Sequence, residues 1–193
     1  MLLLAVAFLL VACGRGLASG ELQGEVIDPP KVKPSFTLTD TSGQPYEFAT
    51  ETEGKLALLY FGYLSCPDIC PVHLAQIAET FEALPDVARD TEVVFVSVDP
   101  ERDTPEDIRE FLDRFDNRFV GLTGTPAQLR VAQAAVGVPP ATTAGEGEDY
   151  TVDHAGWVIA FAPDGLNHSI YPFGTRQSQW NNDLQILAEL GGE

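Results

Sequence analysis

The segment "LALLYFGYLSCPDICPVHLAQ", Leu56–Gln76, carries an unbroken apolar run into two cysteines set in a C-x-x-x-C spacing, each followed by proline. Leu56 to Tyr63 does not alternate between apolar and polar residues. This is the pattern of a strand covered on both faces of a parallel or mixed sheet. Beyond the cysteines, Leu74, Ile77, Ala78, Phe81 and Leu84 recur at helical spacing and predict a helix with one apolar face. "EVVFVSVD", Glu92–Asp99, reads as a second buried strand, so the segment forms a βαβ unit. Proline suits the first turn of a helix, and Pro71 therefore predicts a helix start there, with Cys66 to Cys70 in the preceding loop.

Outward from this unit the chain stays α/β. "FTLTDTSGQPYEF" alternates around Thr41-Ser42-Gly43 and predicts an N-terminal hairpin. Thr104-Pro105 and Thr125-Pro126 each place an N-cap threonine before a proline, marking two further helix starts. "GWVIAFAPDGLNHSIYPFG" gives two strands joined around Pro163-Asp164-Gly165. A last helix carries Trp180, Leu184, Leu187 and Leu190 on one side. Val136 to Tyr150 is a long Pro-, Gly- and acid-rich loop of the kind that flanks sites.

The 193 residues suit one domain rather than two. The formal net charge of −18 repels phosphate backbones, so nucleic acid is not an expected partner. Leu2 to Ala12 is apolar, yet as a helix it reaches only ~17 Å against roughly 30 Å of hydrocarbon. An apolar stretch ending at Ala12-Cys13-Gly14 resembles a bacterial lipoprotein signal, with Cys13 as the lipidated residue. Residues 1–13 are thus expected to be a signal, 14–34 a flexible Gly- and Pro-rich tether, and 35–193 the folded domain.

Thiols at a helix N-terminus face free backbone N–H groups and the positive end of the dipole, which favours thiolate. In an exported chain such a pair can close to a disulfide or bind a soft metal ion, although inert buried cysteines are also common in cores. Three histidines are candidates for a third ligand. One helical turn can bring His73 near Cys70, although an exposed helix position is its plainer expectation. His168 stands beside a strand turn and is expected to be solvated. His154 precedes a strand and follows Asp153.

"FGYLSCPDICP", "VSVDPERDTPE" and "VDHAGWVIAFAPDG" together resemble the successive signatures of the Sco/SenC copper-binding proteins, from about Phe36 to the C-terminal helix. The resemblance implies a thioredoxin-like fold, a central mixed sheet flanked by helices with an added N-terminal β-hairpin. It also implies that Cys66, Cys70 and His154 bind copper, leaving His73 outside the ligand set. Two thiolates and an imidazole suit Cu(I), and suit Cu(II) if a further donor joins. Asp68 and Asp153 match acids of the family and are expected to orient ligands or a partner, or to be ordinary surface acids.

The implied function is that of a metallochaperone on the outer, periplasmic side of the cytoplasmic membrane. Its implied partner is cytochrome c oxidase subunit II, whose dinuclear copper site it helps to assemble by copper delivery or by cysteine reduction, served by another copper chaperone or a thiol reductase. The rival expectation is a metal-independent thiol-disulfide oxidoreductase or thiol peroxidase with Cys66 and Cys70 as its catalytic residues.

Overall fold

A computed structural model describes residues 20–145 and 150–191. The proposed signal and Cys13 lie outside the described residues. Strands β1 (Glu25–Val32), β2 (Thr37–Asp40) and β3 (Pro45–Glu47) are followed by the short helix α1 (Phe48–Glu51) and by β4 (Leu56–Gly62). Helices α2 (Ile69–Ala83) and α3 (Pro85–Arg89) lead to β5 (Thr91–Ser97), then α4 (Pro105–Asp113), β6 (Val120–Thr123) and α5 (Pro126–Ala135). Strands β7 (Thr142–Ala144), β8 (Thr151–Asp153), β9 (Trp157–Phe161) and β10 (Leu166–Pro172) precede the last helix, α6 (Gln177–Glu189).

Eight strands form one sheet in the order β1-β10-β9-β4-β5-β6-β2-β3. β5 runs parallel to β4 and β6, whereas β9 pairs with β4 antiparallel, so the sheet is mixed. All of β4 is buried. Leu56, Leu58 and Tyr60 join one core with residues of α2, α4 and α6, while Ala57, Leu59 and Phe61 join a second with Phe36, Phe48 and residues of α5. Alternating Cβ directions thus feed both faces, which is why no polar residue interrupts the run.

The helix starts follow the expected chemistry. Thr104 accepts the Asp107 N–H, and Thr125 with Gln128 closes a reciprocal capping box. The hairpin forms around Asp40–Gln44, with β3 at the sheet edge.

Two expectations are corrected. Helix α2 begins at Ile69 rather than Pro71, which puts Cys70 inside its first turn. The first four N–H groups of a helix lack intrahelical acceptors, so a proline slightly further in costs no hydrogen bond. The expected tether over 14–34 is also too long, because Glu25–Val32 is strand β1, antiparallel to β10. Its two prolines and mostly exposed side chains give it a linker's composition, which an edge strand tolerates. The fully buried Asp183 of α6 pins the preceding residues by accepting the N–H groups of Gln23 and Gly24 at 2.8–3.0 Å.

The loop between Val136 and Tyr150 contains β7, which pairs with β8 as a ribbon outside the main sheet. That ribbon leads directly into His154.

Candidate metal centre

Strand β4 ends at Gly62, and the chain turns through Tyr63–Pro67 into α2. A Cβ on Gly62 would meet Phe95 Cε2 at 2.7 Å and Cys70 Sγ at 2.8 Å. Only glycine lets the strand end pass this close to the thiol. Asp68, the N-cap of α2, makes no side-chain cap, which leaves the first-turn amides to another acceptor. Cys66 Sγ takes that role, accepting from the backbone N–H groups of Asp68 and Cys70.

The antiparallel pairing of β9 with β4 sets Val158 opposite Tyr60. The residues preceding β9 therefore lie beside the strand end that leads to Cys66. His154 Nε2 lies 3.8 Å from Cys70 Sγ, and its Nδ1 is 3.2 Å from the Ala155 carbonyl. Nε2 is thus the ring nitrogen that faces the sulfurs: as N–H it donates to Cys66, and with the proton on Nδ1, toward the Ala155 carbonyl, its lone pair is free for a metal. The donor atoms of Cys66, Cys70 and His154 all lie within 4.8 Å of one another. Both cysteines are buried and carry free thiols, and His154 is half-buried.

The two sulfurs are not equivalent. A hydrogen bond from the Cys70 thiol is the main cause that holds Cys66 far below the ordinary value of 9.0, at about 3; burial opposes it, and His154 and the two backbone amides assist it. Burial pushes the Cys70 thiol up, as does its hydrogen bond to Cys66. Cys66 is thus the thiolate and Cys70 the donor. Tyr60 O–H donates to Cys70 Sγ at 3.2 Å, and the Tyr63 N–H also favours the charged sulfur. Two donors therefore face the Cys70 sulfur and would hold its thiolate if a metal displaced the proton.

The remaining candidates fall elsewhere. His73 is fully buried rather than exposed, because it shares the inward face of α2 with Cys70, Leu74 and Ile77. It approaches the Gly156 carbonyl at 3.3 Å through Nε2 and packs edge-on against Tyr60, with ring centroids 5.2 Å apart. His168 pairs with Asp164 at 2.7 Å at the β9–β10 turn. Asp68 and Asp153 are exposed. In β8, alternation buries Val152 and turns Asp153 outward.

Sequence reasoning missed Tyr60, which resembles core filling inside an apolar strand. It also missed Asp103, whose carboxylate accepts the Leu64 N–H at 3.0 Å. The signal for Asp103 was present in "VSVDPERDTPE", but only the fold shows which loop it holds.

The sequence profile of the SCO1/SenC family matches residues 24–189. A Stutzerimonas stutzeri protein is 40% identical over 136 residues, 68% of this chain but 65% of that one, so the match spans just under two thirds of the relative. The "SCO2-like protein" of Rickettsia felis is 36% identical over 140 residues, covering 72% of this chain and 68% of its own. Copper-bound Bradyrhizobium japonicum ScoI superposes with a TM-score of 0.72 at 32% identity, over 81% of this chain and 99% of that one. A thioredoxin-like sheet that presents two cysteines and a histidine together, with a profile match across nearly the whole described fold, leads to one conclusion: this chain belongs to the SCO1/SenC family.

Proposed function

We propose that this protein carries copper on Cys66, Cys70 and His154 and serves assembly of the dinuclear copper site of cytochrome c oxidase subunit II. The observation that carries the reading is the convergence of two sulfurs and one imidazole nitrogen within 4.8 Å. That donor set matches the preference of Cu(I) for soft thiolates with imidazole support. Copper here is cargo. The copper-bound state of the Bradyrhizobium relative supports the choice of metal, and the family resemblance supports the oxidase as client.

A second reading rests on the unequal thiols. Cys66 is a ready thiolate and Cys70 a buried partner thiol, the arrangement of an attacking and a resolving cysteine. Reduction of a client disulfide would transfer two electrons and the Cys70 proton to it, with the second proton drawn from solvent, and leave Cys66 and Cys70 joined. A thiol reductase would then be required to restore them.

Titration of the purified domain with Cu(I) against a competing chelator tests the copper reading. The reduced form is expected to bind one ion per chain, and the Cys66–Cys70 disulfide form to bind far more weakly, because ligation requires thiolates. Equal binding by the oxidised domain would overturn the reading.

A lipid on Cys13 would hold the domain at the outer face of the cytoplasmic membrane. Among the described residues no helix is long and apolar enough to cross a bilayer. Cys13→Ser is expected to move the cell-grown protein from the membrane to the soluble fraction. An unlipidated wild-type chain, seen by mass spectrometry, would exclude the anchor.

A further inference from the structure

The three donors sit on two arms that are far apart in sequence, and among the described residues β8, which delivers His154, pairs only with β7 outside the main sheet. We infer that the turn Asp99–Asp103 is a clamp that fixes the His154 arm against the cysteine arm, with Arg102 as its principal positioning residue. The inference rests on the reading of Cys66, Cys70 and His154 as a copper site.

On the histidine arm the clamp grips Tyr150 at three points. The Arg102 guanidinium lies 3.7 Å from the Tyr150 ring centroid, and Arg102 Nη1 donates to the Tyr150 carbonyl at 2.9 Å. The Tyr150 hydroxyl donates to Asp99 Oδ1 at 2.5 Å, while Arg102 Nε donates to Asp99 Oδ2 at 2.6 Å. Asp99 is only 3% exposed, so Arg102 both pairs a buried carboxylate and covers the tyrosine ring.

On the cysteine arm the same turn contributes Asp103, also 3% exposed. Its Oδ2 accepts the Leu64 N–H at 3.0 Å and the Ser97 hydroxyl at 2.6 Å. Leu64 lies just before Cys66, and Tyr150 just before β8 and His154. Arg102 also stands 5.9 Å from the Tyr63 ring, which packs edge-on to the His154 ring at 5.5 Å. One rigid turn therefore holds both arms close to where they present their donors. The guanidinium fork and its planar stack are the features that lysine lacks.

The test uses Arg102→Gln, with Arg102→Lys and Tyr150→Phe as milder variants, in the wild-type and His154→Ala backgrounds. Amide hydrogen exchange is measured on the reduced, copper-free protein and Cu(I) affinity by chelator competition. Arg102→Gln is expected to speed exchange at Thr151–His154 by about tenfold or more while thermal unfolding stays cooperative. It should also weaken Cu(I) binding by about 10-fold, the low end for groups that orient metal ligands. Arg102→Lys and Tyr150→Phe should shift both in the same direction by less.

In the His154→Ala background Arg102→Gln should add nothing to the affinity loss, because the group it positions is gone. Equal losses in both backgrounds, or unchanged exchange in Arg102→Gln, would overturn the clamp, and so would unchanged exchange in both milder variants if Arg102→Gln fails to fold. Exchange needs no metal, so it decides the clamp on its own. Indifference of copper affinity to His154→Ala would count instead against the copper-site reading.

Discussion

His154→Ala is expected to weaken Cu(I) binding by roughly 100-fold or more, beyond the ~10–100-fold that loss of an outer-sphere partner costs, because it removes a donor itself. The same substitution should leave Cys66–Cys70 disulfide formation largely intact. Exchange chemistry needs an attacking thiolate and a resolving thiol, and the main support of the Cys66 thiolate is Cys70 rather than the imidazole. The variant thus separates the two readings in cells that lack the native protein. If it is folded and membrane-bound yet fails to restore oxidase activity at limiting copper, delivery is the function. Full restoration with copper binding lost would leave the reductase. Unchanged copper affinity in the purified variant would remove His154 from the site.

Alkylation of reduced wild-type protein by a small haloacetamide is expected to modify Cys66 at a rate nearly flat between about pH 5 and pH 8. An ordinary thiol, at 9.0, is only about 0.1% thiolate at pH 6, and its rate climbs tenfold per unit there. Cys66, held down to about 3, is already fully ionised across that range. Cys70→Ala removes the leading cause of the depression, so the profile should regain a slope at low pH. It should also abolish both the disulfide and tight copper binding. A tenfold climb per unit in the wild type would exclude the hydrogen-bonded thiolate.

A depressed pKa stabilises the reduced fold fully above the unfolded value of 9.0 and loses that contribution as pH falls toward about 3. The raised Cys70 acts oppositely, with its contribution complete below 9.0 and lost only on strong alkalinisation. Across neutral pH the pair therefore makes the reduced form weaken on acidification.

Much of the scaffold was legible in the sequence because its signals are local. The apolar run at Leu56–Gly62 has the length and composition of a two-faced strand, and the Thr-Pro pairs at 104–105 and 125–126 carry helix starts in neighbouring atoms. The C-x-x-x-C spacing at a strand-to-helix junction likewise identified two thiols beside free amides. The family signatures then supplied His154, which spacing alone did not select from three histidines.

Contacts between elements depend on partners distant in the chain. Cys70 and His154 stand 84 positions apart and meet because β9 runs antiparallel to β4. Residues 23–24 read as tether until a buried carboxylate on α6 claims their amides. His73 is interior because Tyr60 and the Gly156 carbonyl lie across its helix face. The carboxylates of Asp99 and Asp103 turn inward to Tyr150 and Leu64, whereas Asp68 and Asp153 stay exposed, because the turn after β5 packs between the two segments. Local spacing sets dihedrals and faces within one element, and so the elements and the donor types were readable from the residue pattern alone. Which faces meet is set by the joint burial of the whole sheet and its helices, and that placed the donors together and chose the residues that hold them.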